Sequence, residues 1–282
     1  MPIQAPLPQV KPLSDLGVVP KITQKGINLV YDGTAKHTYI PYAAGGVYPS
    51  RIRLATTTAA FVNLGNMSAA IAAAGTGYKP GVLITLAGGT PITNQAGILQ
   101  VATTKLITYA IKAGAAGSGG APDGAGVILE GTTGTGTKYR VSGTVNAGAL
   151  ASIQSITVAG AYTTNPTITN DPLIYISGTN GVGLVGAALD TIVMGVESAT
   201  VYKPGQYVTA NQPADAVAQS GNTVPASGTG ATFNVTWNTA AAVGDILVQP
   251  GDALIVDSYG YDHVGAIQVS ATGTIVVTPI DN

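Results

Sequence analysis

The sequence contains no cysteine and very little charge. Cysteine is absent from all 282 residues, which excludes disulfides and thiolate metal sites. Charged residues make up only 9% of the chain, against roughly 25% in an average soluble protein. Because a neutral surface can be buried against another protein without desolvating ions, we expect a subunit of a larger assembly. A secreted, repeat-rich adhesin would have the same composition, so low charge alone does not separate the two.

The chain also lacks an excess of charge of either sign. It has 12 basic and 13 acidic residues and a net charge of −1. Nucleic-acid binding needs Lys and Arg concentrated on one face, so we expect no nucleic-acid partner. The most apolar run, 181–196, contains Asp190 and is too short to span a bilayer, so we expect no membrane partner. Prolines occupy the N-terminus where a signal peptide needs an apolar helical core, which favours folding in the cytoplasm without secretion.

Groups that could carry chemistry are few. The two histidines are His37 and His263, and neither lies near a second metal ligand in the sequence. A pair between His263 and Asp262 is conceivable, but neighbours in a strand point to opposite faces, so we expect structural histidines. The acids near the C-terminus are Asp245, Asp252, Asp257 and Asp262. They are spread over separate turns and strands, where Asp is common, so they do not predict a calcium cage.

Motifs of enzymes are missing as well. No Gly-x-Ser-x-Gly elbow occurs, and glycine runs such as 131–136 lack the Lys-Ser/Thr that follows a phosphate-binding loop. We therefore expect no catalytic residue, no cofactor and no metal site, and the protein is interpreted as a non-enzyme.

Strand signals dominate both ends of the chain. Short β-rich runs, separated by Gly, Pro and Asn, lie at 22–31, 38–42, 51–64, 245–248, 253–257, 263–269 and 274–279. Residues 51–54 alternate polar and apolar side chains, as expected for a half-buried strand. The segment 67–74 (MSAAIAAA) suggests one short helix ended by Gly75. Since no helical period extends beyond three turns, the sequence predicts an all-β fold.

The middle of the chain, about 71–238, repeats itself loosely. Three tyrosines follow a small-residue turn and precede Pro or Gly: Tyr78, Tyr162 and Tyr202. This pattern predicts a strand, a turn that needs φ > 0, and a tyrosine packed over the turn. Tyrosine also suits protein interfaces and sugar stacking, so these three are candidate surface contacts. The glycine-rich segment 114–126 is interpreted as a flexible loop or an exposed tip.

Proline is concentrated at the N-terminus. Residues 1–20 interleave prolines with apolar side chains: Pro2, Ile3, Pro6, Leu7, Pro8, Val10, Pro12, Leu13 and Leu16. Proline favours extended backbone without a packed core. A solvated tail would not need the apolar residues, which favours an arm that crosses onto a neighbouring subunit. A disordered tail remains the alternative.

Several phrases resemble tailed-bacteriophage structural proteins. Repeat modules of capsid-associated and tail-fibre-associated chains are similar to AGTGY at 74–78, ITVAGAYTTNP at 156–166 and GTGATFNVTW at 228–237. Residues 51–65 resemble the opening of small head-associated β-sandwich proteins, and 248–256 and 263–278 resemble the closing strands of that fold. Because about 170 residues separate the two halves, the resemblance implies a repeat module inserted into a loop of a base sandwich.

Composition and resemblance together give one layout. We predict an extended N-terminal arm (1–20), a discontinuous base β-sandwich (21–66 with 239–282) and an inserted β-repeat module (67–238). The expected function is that of a capsid decoration or cement protein in the virion, assembled in the host cytoplasm. The partners expected are the phage major capsid protein and copies of the chain itself, as a homotrimer. The base and arm would grip the shell, with the module projecting outward. The alternatives are a tail, baseplate or fibre component that contacts the host surface, and a carbohydrate-binding module.

Overall fold

The structure is a computed structural model that describes residues 26–42, 48–91, 95–224, 227–237, 239–252, 254–258 and 261–280. These residues form an all-β protein with antiparallel sheets, which confirms the predicted fold class. The predicted arm, 1–20, lies outside the described residues. In chain order the strands are β1 (Ile27–Tyr31), β2 (Lys36–Tyr39), β3 (Arg51–Thr56), β4 (Ala60–Gly65), β5 (Met67–Thr76), β6 (Leu83–Leu86), β7 (Ile98–Ser118), β8 (Gly124–Gly131), β9 (Thr135–Thr137), β10 (Arg140–Asn146), β11 (Ala149–Val158), β12 (Ala161–Thr164), β13 (Asp171–Ser177), β14 (Val185–Lys203), β15 (Val217–Val224), β16 (Thr229–Trp237), β17 (Ile246–Val248), β18 (Leu254–Asp257), β19 (His263–Gln268) and β20 (Gly273–Ile280).

The chain divides into two compact units. One, the base unit, takes in the described residues of Met1–Asn66 and Trp237–Asn282, and the other, the inserted unit, is Met67–Thr236. The base unit therefore draws on both ends of the chain.

The base unit is a β-sandwich of two four-stranded sheets. Their strand orders are β1-β20-β3-β18 and β17-β4-β19-β2. In β3 the side chains of Ile52 and Leu54 are buried and those of Arg51 and Arg53 are not, as the alternation in the sequence predicts. The core between the sheets consists of Leu29, Tyr31, Ile40, Ile52, Leu54, Ala60, Val62, Val248, Val264, Ala266, Ile275 and Val277. Because β3 pairs with β20 and β4 pairs with β19, the sandwich forms only when the two ends of the chain meet.

The inserted unit is built around one long ribbon. Strands β7 and β14 pair along most of their length, with several register shifts. They lie in a sheet of order β11-β10-β8-β13-β14-β7-β6-β15-β16-β5, with β9 and β12 beside it. Both ends of this sheet return to the ribbon: the amide of Tyr78 donates to Met194 O at 3.0 Å, and that of Leu106 donates to Ala159 O at 2.9 Å. The sheet thus curls on each side of the ribbon and encloses apolar side chains.

Two local predictions in this unit are wrong. Residues 67–74 form most of strand β5 rather than a helix, because pairing with β16 and burial of Met67 outweigh the weak helix preference of alanine. The segment 114–126 is not one loop. Its first five residues continue β7 and its last three begin β8, since glycines with positive φ at 114 and 117 allow the long strand to bulge rather than end.

Candidate functional site

Tyr78 is a buried side chain that closes a glycine turn. Its ring packs on Gly75 and Gly228, where an added Cβ would lie 2.7 and 2.4 Å from ring atoms. Both glycines have positive φ, +59° and +80°. Glycine is therefore needed at each position for two reasons: the backbone conformation and the space that the ring occupies. The hydroxyl accepts the N–H of Ala231 at 3.2 Å and donates to the side-chain oxygen of Gln219. Tyr78 therefore fastens the start of β16 to the turn after β5.

Tyr162 repeats this arrangement at the other end of the unit. Its hydroxyl accepts the N–H of Tyr139 at 2.8 Å. Its ring packs on Gly160 and Gly134, and a Cβ on these glycines would lie 2.6 and 2.9 Å away. Both have positive φ. The predicted combination of strand, φ > 0 turn and packed tyrosine is thus present at Tyr78 and Tyr162.

The third such tyrosine is Tyr207, which the sequence reasoning missed. Tyr207 is fully buried, its hydroxyl accepts the N–H of Gly97 at 3.1 Å, and its ring lies 2.5 Å from a Cβ built on Gly205. The sequence does contain a pattern that predicts Tyr207, because Gly205-Gln-Tyr207 has the same Gly-x-Tyr spacing as Gly160-Ala-Tyr162. The Tyr-Lys-Pro-Gly motif, shared by residues 78–81 and 202–205, favoured Tyr202 instead.

The candidate surface contacts need correction. Tyr78 and Tyr162 have no exposed surface, so the prediction that they lie on the surface is wrong: their rings fill the space over glycines and their hydroxyls bond backbone N–H groups. Tyr202, on β14, is 53% exposed and is the one of the three that a partner can reach.

Aromatic and imidazole rings gather on the outer face of one base sheet. Val264 and Ala266 of β19 enter the core, so His263 and Gly265 point to the other side. His37 stands opposite Gly265 in β2. The His37 ring stacks on Trp237 at 5.0 Å between centroids, with 17° between planes. His263 meets both rings edge-on, at 5.6 and 6.0 Å.

The backbone that follows Trp237 is pressed against this sheet. A Cβ added to Gly265 would lie 1.6 Å from Thr239 O, and Thr239 and Ala241 are buried. We call His37, Trp237, His263 and the neighbouring Asp262 the histidine cluster. Its rings lie on the outer face of the sheet, where Thr239 also approaches Gly265.

Asp262 and His263 are paired, contrary to the prediction that strand neighbours face apart. Asp262 precedes the first residue of β19, so the alternation does not apply to it. His263 Nδ1 contacts Asp262 Oδ1. Since an ionised carboxylate only accepts, Nδ1 carries a proton and donates it to Asp262. The other ring nitrogen, Nε2, is buried without a hydrogen-bond partner among the described residues.

Burial controls the charge of His37. The side chain is 7% exposed, and this burial, followed by the charge of His263, lowers its pKa to about 4. His37 is therefore neutral at pH 7. Because both imidazoles are buried, neither can reach a substrate in this conformation.

The C-terminal acids do not converge. Asp245 accepts the N–H of Ala242 at 2.7 Å, and Asp257 lies 3.6 Å from Arg51, while Asp262 holds His263. Within the described ranges, no group of three or more His, Cys, Asp or Glu side chains could hold a metal ion. Asp245, Asp257 and Asp262 each contact a different neighbouring group instead.

A buried carboxylate in the inserted unit was not singled out from the sequence. Asp171 has no exposed surface. Its Oδ1 accepts the N–H and the hydroxyl of Thr133, at 2.9 and 2.7 Å. Burial first, and then the neighbouring Asp171, raise the pKa of Tyr139 above its usual range. Asp171 fixes the turn that leads to Gly134 and so supports the site of Tyr162.

Two contacting tyrosines of the base unit, Tyr42 and Tyr48, and a third that adjoins Asp262 in sequence, Tyr261, are partly exposed. Tyr42 and Tyr48 lie 4.7 Å apart between ring centroids. Tyr48 is 36% and Tyr261 is 41% exposed. Burial, then Tyr42, then the charge of Asp262 raise the pKa of Tyr48. The Asp262 carboxylate is therefore close enough to Tyr48 to affect it electrostatically. We call Tyr42, Tyr48 and Tyr261 the tyrosine patch.

The base unit also exposes apolar side chains at a sheet edge. Val243, at the tip of the turn that Asp245 closes, is 84% exposed. Ile246 and Leu247 follow on β17 and are 41% and 46% exposed. Strand β17 is at the edge of its sheet. We call residues 243–247 the apolar edge.

Comparison with protein-family models, with curated proteins and with solved structures gave no match to this chain. In the part of the chain that the structure describes, no helix is long and apolar enough to cross a membrane.

Proposed function

We propose that this chain is a non-enzymatic structural protein of a tailed-bacteriophage particle, a decoration or cement protein that stabilises the head by bridging capsomers. The phrases that resemble phage repeat modules support a virion protein. The low charge supports a subunit whose surface is covered in an assembly. Three-fold lattice sites favour a homotrimer as the bound form.

The apolar edge is the observation that carries the proposal. An edge strand offers unpaired N–H and C=O groups, and proteins that remain monomeric protect such edges with Lys, Pro or inward charges. Residues 243–247 contain no Lys and no Pro, and the carboxylate of Asp245 bonds its own turn. Exposed Val243 and Leu247 would gain free energy on contact with an apolar partner surface. A neighbouring capsid subunit would supply that surface.

The first test compares particles with and without the protein. We expect particles that lack it to release their genome at a lower temperature, and added purified protein to restore the wild-type value. Val243→Asp should fold normally, since the residue is already exposed, and should lower occupancy on the particle. Val185→Asp, at a 64% exposed position of the inserted unit, is the matched control. Equal occupancy of the two variants would show that the apolar edge does not bind the shell.

The tyrosine patch supports a second candidate, a host-contacting tail or fibre component that binds glycans. Exposed tyrosine faces can stack on sugar rings. Glycan-array binding that is lost in Tyr261→Ala and retained in Tyr202→Phe would favour this function. No glycan affinity, together with less stable particles when the protein is absent, would reject it.

A further inference from the structure

We propose that the histidine cluster is an acid-sensitive clasp, which fastens Trp237 and residues 239–241 to the outer face of the base sheet and releases them when His37 takes up a proton. This is a regulatory property of the base unit. It is independent of which partner the protein binds.

The clasp joins a strand of the sheet to a connecting segment. Trp237 ends β16, and its ring covers the imidazole of His37 on β2. Two residues further on, the carbonyl of Thr239 touches Gly265 on β19. Both contacts hold the same stretch of chain, one through stacked rings and one through close backbone approach. Loss of the ring contact therefore weakens the attachment of the whole segment.

Protonation of His37 opposes this arrangement because the ring is buried, and burial disfavours its charged form. From β19, His263 faces His37 edge-on, and its charge opposes a second charge on His37. The carboxylate on that side, Asp262, already accepts the Nδ1 proton of His263, and Tyr48 lies beyond it. On β2 itself, Lys36 pairs with Asp32 at 3.5 Å. The face of Trp237 attracts a cation, whereas burial and His263 both disfavour one at His37.

The direction of the pH dependence follows from the pKa of His37, which is about 4 when the ring is buried and 6.5 when it is exposed. A depressed histidine pKa means that the opened form binds the proton more tightly. The clasp is therefore fully stable above pH 6.5 and weakens as the pH falls toward 4. Between these values, the ratio of open to closed clasp rises tenfold per pH unit, or roughly 300-fold in all. Below pH 4, protonation of His37 does not change the ratio of open to closed clasp further.

Trp237 reports on the clasp directly because it is the chain's single tryptophan. We expect its emission in the full-length protein to shift to longer wavelength, reversibly, as the pH is lowered from 7 to 4. His37→Gln, which cannot be protonated, should keep the pH 7 emission and lose the shift. Lys36→Gln, on the same strand, should keep the shift. Unchanged wild-type emission, or an equal shift in His37→Gln, would overturn the proposal.

Hydrogen exchange of the wild-type protein gives a second readout that needs no variant. After correction for intrinsic rates, amides in 239–241 should exchange at least tenfold faster at pH 5 than at pH 7, while those of β3 stay unchanged. If His37→Gln does not fold, hydrogen exchange of the wild-type protein still tests the clasp. Equal protection at the two pH values, or a loss of protection shared by β3, would overturn the clasp.

Discussion

Substitution of Gly265 by alanine should detach the segment that follows β16 from the base sheet. Gly265 lies in the middle of β19 and has no positive φ, so its backbone would accept alanine without strain. The obstacle is space: the added Cβ would lie 1.6 Å from the carbonyl oxygen of Thr239. That atom belongs to backbone and cannot rotate away like the end of a side chain.

The size of the effect follows from the displacement required. Carbon and oxygen atoms need about 3 Å or more between them, so Thr239 must move by more than an ångström, and Trp237 two residues before it must move as well. Overpacking of a core, with the backbone shifts it forces, costs about 1–3 kcal/mol and occasionally more. We expect Gly265→Ala to lower the free energy of unfolding of the base unit by about 3 kcal/mol. For a unit of this size, that loss corresponds to a decrease in Tm of about 10 °C or more.

Urea unfolding followed by Trp237 fluorescence measures this loss. Gly33→Ala is the matched control: it is also in the base unit and has no positive φ, and its Cβ would meet only the flexible end of Gln268, at 3.4 Å. The control should be neutral or slightly stabilising, because alanine restricts the unfolded chain. If Gly265→Ala is as stable as Gly33→Ala and has the same native emission, the result would contradict a steric role for the contact between Thr239 and Gly265.

Two further predictions concern the inserted unit and the arm. Tyr162→Phe should lower stability by about 1–3 kcal/mol in thermal unfolding, because the N–H of Tyr139 loses its acceptor in a buried position, whereas Tyr202→Phe should change stability by less than about 0.5 kcal/mol. An equal effect of both substitutions would contradict the role assigned to the Tyr162 hydroxyl. Deletion of residues 2–20 should leave the protein folded but reduce its occupancy on the particle, and unchanged occupancy would show that the arm is only a tail.

The strands of the base unit could be predicted from local pattern. Residues 51–54 alternate polar and apolar side chains and form β3 as expected. The β5 strand could not be predicted in this way, because an alanine-rich run has no period of its own and its partner β16 is 150 residues away in sequence. Its conformation is decided by pairing that no local window contains.

The histidine cluster could not be predicted from the sequence for a different reason. The sequence shows Asp262 beside His263 but not where β19 begins, and one residue decides whether the two side chains face apart or meet. The contact of His37 with Trp237 joins positions 200 residues apart. Only the register of β2 against β19, and the return of the chain after β16, bring these rings together.

The excess of tyrosine over phenylalanine, 13 against two, has a physical explanation in the inserted unit. A tyrosine over a glycine turn fills the local space with its ring and gives an unpaired N–H an acceptor, as Tyr78, Tyr162 and Tyr207 do. Phenylalanine would supply only the ring. Because much of the tyrosine content serves the interior, it is weak evidence for a glycan-binding surface. The apolar edge and the low charge then remain as the stronger indications of assembly.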